Sequence, residues 1–318
     1  MDPRGIADVG ERLVAQTERV IVGQRETVRL LLVALLSEGH VLLEGPPGVA
    51  KTLLARVFSK GLALRFGRIQ FTPDMMPGDI LGTNIYDFQS SRFQLNRGPI
   101  FTEMLLADEI NRTPPKTQAA LLEAMEERSV TIDGQRYPLG GGFMVIATQN
   151  PIEQEGTYPL PEAQLDRFLF KLIVGYPDRA EELELVSRHG RSRGTLEEQL
   201  ASLEAIASLP FLEEARATIA AFTLNPEMTA YIVDLVRATR EHTALLCGGS
   251  PRATSRLAAA AKARALVEGR DYVIPDDVKA LFTHAMRHRL VLSPAAEIES
   301  LGPAEIIAQI IEQVPAPR

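Results

Sequence analysis

The sequence predicts an α/β protein: a parallel sheet flanked by helices over residues 1–177, followed by an all-helical domain over residues 178–318. Three observations predict it. Up to Val174, short apolar runs alternate with stretches of helical periodicity. One of those runs, Val41-Leu42-Leu43, passes through a Gly/Pro-rich turn into Lys51-Thr52 and a helix-favouring stretch. After Pro177, Ala and Leu dominate and strand-like runs vanish, which puts the boundary near Tyr176 to Arg179.

In order, Ile6 to Val20 spaces its apolar residues (Ile6, Val9, Leu13, Val14) as an amphipathic helix, and Val20 to Gln24 follows as a turn. Glu26 to Ser37 is a second helix, and its Leu30 to Leu36 stretch reads as buried. Val41 to Leu43 is the first strand and Lys51 to Leu64 the helix after the loop. Arg68 to Phe71 suits a strand, whereas Thr72 to Asp79 is too rich in Pro and Gly for a regular element. Tyr86 to Arg97, with Gln89-Ser90-Ser91 in the middle, resembles a hairpin.

Phe101 to Ala107 is an apolar strand that ends in Asp108-Glu109. Lys116 to Glu127 is a helix, Val130 to Leu139 a hairpin around Asp133-Gly134, and Phe143 to Ala147 a buried strand. Glu162 to Phe168 is a short helix and Phe170 to Val174 the last strand. Helical spacing then recurs over 181–189, 196–208, 213–221, 228–241, 255–268, 276–286 and 304–313, with a mobile loop expected at Gly190 to Gly194.

Bulk properties narrow the function. At 318 residues the chain has ample core for two domains. A net charge of −7 argues against a generally basic nucleic-acid surface, and the absence of Trp removes the strongest stacking platform for single strands. Cys247 is the single cysteine, so no intramolecular disulfide or cysteine metal site exists; a small buried residue in a cytoplasmic protein is expected. No apolar run approaches the ~20 residues of a membrane span, and no signal-like apolar stretch follows Met1.

The chemistry concentrates in five places. In Gly45-Pro46-Pro47-Gly48-Val49-Ala50-Lys51-Thr52-Leu53, glycines let the backbone curl its N–H groups around an anion, and the next helix offers its positive end. Lys51 suits the β- and γ-phosphates, and the Thr52 hydroxyl suits Mg²⁺. Ala50 stands where such loops carry Gly. Because Ala disfavours positive φ, Ala50 is expected inside the first helical turn.

Asp108-Glu109, at the end of a buried strand, offers one acid for Mg²⁺ and one to polarise an attacking water. Two carboxylates beside a triphosphate need a dication, so ATP and Mg²⁺ are expected together. Asn150 is placed to reach the γ-phosphate or the water. Arg167 stands before the last strand, where it suits a neighbouring subunit's transferring phosphoryl group. Arg252, at the start of a helix in the second domain, is expected to swing onto the γ-phosphate on domain closure.

These runs resemble the MoxR branch of AAA+ ATPases. The similarity extends through Gly98-Pro99-Ile100-Phe101, Leu106 to Arg112, Ala120 to Glu127 and Ala147 to Phe168, and covers roughly residues 5 to 315. Ala50 is usual in that branch. The resemblance implies Lys51 and Thr52 as Walker A, Asp108 and Glu109 as Walker B, Asn150 as sensor 1, Arg252 as sensor 2 and Arg167 as the arginine finger. It implies Val22 and Gly23 at the adenine pocket, with Met75 to Arg97 as a helix-2 insert. It further implies a homo-hexameric ring that works with a von Willebrand factor A domain protein to remodel, mature or insert cofactors into client protein complexes. Two other readings stay open: a nucleotide-gated ring scaffold without turnover, which has no need of Glu109, and a DNA-associated motor, which the acidic balance disfavours.

Overall fold

The computed structural model describes residues 1–89, 91–151, 156–189 and 195–317. Ser90, Ile152 to Glu155 and the expected mobile loop at Gly190 to Gly194 lie outside the described residues.

The chain opens with α1 (Pro3–Glu18) and α2 (Arg25–Leu36). Asp2 caps α1 by accepting the Arg4 N–H at 3.0 Å, with Pro3 in the first turn. The expected burial of Leu30 to Leu36 is seen in full. Next come β1 (Val41–Glu44), α3 (Lys51–Gly61), β2 (Phe66–Gln70), α4 (Pro77–Leu81) and the hairpin of β3 (Gly82–Asp87) and β4 (Arg92–Arg97). Then follow β5 (Met104–Asp108), a 3₁₀ turn (Ile110–Arg112), α5 (Pro115–Glu127), the hairpin of β6 (Ser129–Ile132) and β7 (Gln135–Pro138), β8 (Met144–Gln149), α6 (Glu162–Leu165) and β9 (Phe170–Ile173).

The remainder holds α7 (Arg179–His189), α8 (Leu196–Ala201), α9 (Leu209–Ala221), α10 (Pro226–Glu241), β10 (Leu245–Cys247), α11 (Pro251–Val267), α12 (Pro275–Met286), β11 (Val291–Leu292), α13 (Pro294–Ile298) and α14 (Pro303–Gln313).

Four elements or residues differ from the sequence expectation. The segment read as irregular holds α4, because Pro77 starts a turn and the Asp79 carboxylate takes the Met76 N–H at 2.8 Å. Strands do occur late: β10 and β11 pair antiparallel, but at three and two residues they are too short to show a period. The helix begun at Glu162 stops at Leu165 rather than Phe168. Cys247, expected buried, is exposed on β10.

Five parallel strands form the main sheet in the order β2-β5-β8-β1-β9. β5 is buried throughout and β8 nearly so, as strands covered on both faces must be. Alternate residues feed two cores. Leu43, Leu106 and Ile146 face one, and Leu42, Leu105 and Val145 the other. The first core runs on through α1 and α2 into α9 to α12 and α14, so the helical half is seated on the N-terminal helices. Pairing of Leu43 with Thr148 and of Gln70 with Asp108 brings the carboxyl ends of β1, β8, β5 and β2 to one rim. Crevices at that rim are where open α/β sheets bind ligands.

Candidate active site

β1 delivers the loop 45–50 to this rim. Gly45 is obligatory for packing, since a Cβ there would overlap the carbonyl oxygen of Val174 beyond β9. Gly48 turns the chain at φ +84°, with nothing within 4 Å of where a Cβ would stand. Ala50 corrects the expectation drawn from its side chain. It is the residue before α3 and sits in the left-handed region, at φ 61° and ψ 22°. The loop must reverse into α3 at that point, and the surrounding structure holds Ala in a conformation that Gly would adopt freely.

α3 begins at Lys51, so its unpaired N-terminal amides and positive end face the rim. The Lys51 ammonium donates to the carbonyls of Gly45 (2.6 Å) and Pro46 (2.7 Å), across the mouth of the loop. Burial pulls its pKa below the ordinary lysine value, and the charges of Asp108 and Glu109 oppose that.

Asp108 is buried and fully engaged. Oδ1 accepts from the Thr148 hydroxyl at 2.6 Å, and Oδ2 accepts from the Thr52 hydroxyl at 3.2 Å and from Arg68 Nη2 at 2.7 Å. Thr148 also accepts the Glu109 N–H at 2.9 Å, which fixes the ends of β5 and β8 together. Glu109 is left-handed (φ 59°, ψ 50°) and starts the 3₁₀ turn. Its Oε2 accepts from Gln70 Nε2 at 2.9 Å and lies 3.2 Å from Arg112 Nε.

Lys51, Thr52, Asp108, Glu109 and Asn150 line one cavity of about 360 Å³. A second cavity, of about 480 Å³, shares Gly48, Val49, Ala50 and Leu53 with it and continues over Val22, Pro177 and Leu185. The first is polar and suits phosphates; the second carries the apolar walls a flat base needs. Val22 lines this second cavity. Gly23 does not line it. At φ +77° that glycine makes room for the Glu181 carboxylate of α7.

Arg167 and Arg252 are elsewhere. His40 precedes β1; its Nδ1 accepts the Val145 N–H at 2.9 Å, so Nε2 carries the proton that goes to the Met125 carbonyl at 3.1 Å. Burial holds His40 neutral, with its pKa lowered to about 3. The end of α5 therefore lies at the start of β1, a strand length of about 13 Å from the loop. There Glu126 takes Arg252 at 2.9 Å and Arg167 at 3.2 Å on its two oxygens. The expected swing of Arg252 onto this chain's own γ-phosphate is corrected: α11 is packed against α1 and α2 and presents Arg252 at the opposite rim.

One buried arginine organises that rim. Arg289 donates to Asp166 Oδ1 (2.6 Å), to the carbonyls of Asp166 (3.0 Å), Phe168 (2.7 Å) and Leu169 (3.2 Å), and to Ala285 on its own helix end. These bonds satisfy carbonyls between α6 and β9 that no strand or helix partner takes up. Ser250, the cap of α11, also donates to Asp166 Oδ2 at 3.2 Å, so the Arg167 segment and the Arg252 helix share one anchor.

Sequence reasoning missed Arg68, Gln70, Thr148 and Arg289. A signal existed for the first two, because polar residues at i and i+2 on a short strand share a face. None existed for Arg289, which is 123 residues from its carboxylate partner.

Residues 40–170 match the ATPase family associated with various cellular activities (AAA), and residues 237–310 match the AAA lid domain. Chaperone MoxR1 of Mycobacterium tuberculosis is 45% identical over 97% of this chain and 82% of its own length. The chain belongs to the MoxR family of AAA+ ATPases. YeaC of Bacillus subtilis is 47% identical, covering 96% of this chain and 94% of its own. A crystal structure from Cytophaga hutchinsonii, 40% identical, superposes with a TM-score of 0.90 over 99% of this chain and 97% of that one. The AAA match of this MoxR-family chain begins at His40 and ends at Phe170, the first residue of β9, so it contains every residue on the rim cavity. The lid match contains Arg252 and Arg289.

Proposed function

We propose that this chain hydrolyses ATP with Mg²⁺ at the 45–52 loop, in a homo-hexameric ring, to remodel client protein complexes in the cytoplasm. The observation that carries the reading is the convergence of Lys51, Thr52, Asp108, Glu109 and Asn150 on one cavity that opens into an apolar slot of base size. The rim fits a magnesium ion. Thr52 and Asp108 offer hard oxygen donors 3.2 Å apart, and the rest of an octahedron suits phosphate and water. Bound there, the ion would offset the charge of the phosphates and of both acids.

In this reading the α3 amides and Lys51 hold the β- and γ-phosphates. Glu109, angled by its left-handed backbone, takes a proton from the attacking water, and Asn150 aligns that water. Arg167 and Arg252 stand a strand length from this loop, so they complete the site of a second copy, exchanging Glu126 for that copy's terminal phosphate. The division at Pro177 separates the nucleotide domain from the lid that carries Arg252.

The β3–β4 hairpin suits contact with a client or with a von Willebrand factor A domain partner. Phe88 and Phe93 are 86% and 71% exposed around Tyr86, a patch that solvent alone does not favour. Maturation or cofactor insertion is the form of work proposed, by analogy with the chaperone named among the relatives.

Glu109→Gln tests the chemistry. ATP binding is expected to persist, while phosphate release falls by about 10²- to 10⁴-fold. Full turnover by that variant would remove Glu109 as the base.

A further inference from the structure

Arg68 is a resident of the rim that the proposed chemistry does not use. It lies on β2, the edge strand beside β5, paired with Leu106 and two residues from the pair Gln70–Asp108. Its side chain crosses to β5. Nη2 and Nε reach Asp108 Oδ2 at 2.7 and 3.2 Å, and Nη2 also donates to Gln70 Oε1 at 2.6 Å. The oxygen it holds is the one that accepts from Thr52. The guanidinium therefore occupies the carboxylate oxygen that, beside the Thr52 hydroxyl, would ligate a divalent cation.

The charge balance explains the placement. The Asp108 side chain is only 11% exposed, and Glu109 is its neighbour. A carboxylate this buried requires a counter-charge. Lys51 does not provide an ion pair, since its ammonium is committed to the Gly45 and Pro46 carbonyls. Arg68 does, from a side chain 47% exposed and free to swing toward solvent. It also lines the phosphate cavity and keeps a second anchor in Gln70, so it can release Asp108 without leaving the rim.

We propose that Arg68 is a displaceable counter-ion at the metal position: it neutralises Asp108 until a divalent cation arrives with nucleotide, and must release Asp108 before the carboxylate can take that cation. The inference rests on the reading of Thr52 and Asp108 as metal ligands. Two consequences follow. Arg68 lowers the affinity of the site for metal. It also lets a nucleotide without metal approach an otherwise anionic rim.

The test uses the full chain with ADP bound, so that no turnover intervenes, and Mn²⁺ as the probe, with free and bound metal read by electron paramagnetic resonance. Arg68→Ala and Arg68→Gln are expected to bind Mn²⁺ about three- to tenfold more tightly than the wild type, as loss of a charge-assisted competitor predicts. Arg68→Lys, which keeps the charge, is expected near wild type. In EDTA, both neutral variants are expected to bind ADP more weakly. Thermal melts check folding, and the Gln variant guards against local collapse in the Ala variant. Equal or weaker Mn²⁺ binding by both neutral variants, with Asp108→Asn still abolishing it, would overturn the role of Arg68 and leave the metal site standing. Unchanged Mn²⁺ binding in Asp108→Asn would overturn the site and this inference together.

Discussion

Ala50 shows how the chemistry of one residue is overridden by the loop that contains it. A left-handed Ala costs about 1–2 kcal/mol, and Gly in its place would lose about 0.5–1 kcal/mol through a more flexible unfolded chain. Ala50→Gly is therefore expected to hold or raise stability by up to about 1 kcal/mol, read from the urea midpoint. A clear loss would show that the Ala methyl contributes packing that outweighs the strain. Residue-level reading reaches furthest where chemistry is local. Lys51, Thr52, Asp108 and Glu109, read from the sequence as one constellation, line one cavity. It failed for Arg68 and Gln70, whose meaning depends on which strand lies beside β2.

At the scale of elements, the segment from Asp166 to Leu169 and the start of α11 are two pieces of one fixture. Arg289 donates to the carboxylate and carbonyls of the first, and Ser250, which caps the second, donates to the same Asp166 carboxylate. Arg289→Met keeps the volume but strands those carbonyls and the Asp166 carboxylate. A loss of about 3–5 kcal/mol is expected in chemical denaturation. Asp166→Asn, which keeps a shorter set of bonds, is expected to cost about 1–3 kcal/mol. If Arg289→Met is neutral, the fixture is not what holds the rim. Strand and helix existence was legible throughout the sheet, since buried runs bounded by turn residues have few other readings. The boundaries of α6 and α8 were not, because a distant arginine and neighbouring packing decide where those helices stop.

The whole molecule sets two further expectations. The loop and the arginine pair lie on opposite rims, so a site built between copies can be tested by mixing. Glu109→Gln and Arg167→Ala proteins, each inactive alone, are expected to regain a fraction of turnover when combined, because an intact loop can then meet an intact arginine. No regain would place Arg167 outside the chemistry of a second copy. Acidification is the other. His40 and His284 have pKa values lowered to about 3 and about 4, and His288 lies well below its ordinary value, in each case chiefly by burial.

A base whose folded pKa is lowered leaves the unfolded chain binding more protons below pH 6.5. The stability is present above that pH and is lost as pH falls toward the folded values. Each of these histidines contributes a slope of up to about 1.4 kcal/mol per pH unit in that window. Urea midpoints measured from pH 7 to 4 should fall steeply, and His40→Gln should flatten the fall. A flat profile would mean these rings are not held neutral.

The sequence by itself determined the α/β class, the order of its elements and the loop and acids that line one cavity, because those follow from periodicity and from chemistry within a few residues. Only the tertiary structure decided that Ala50 is left-handed, that Arg68 stands on Asp108, and that Arg252 joins Arg167 at the far rim. The first follows from the path of the loop into α3, and the other two from distant segments brought side by side, which no local pattern of residues encodes.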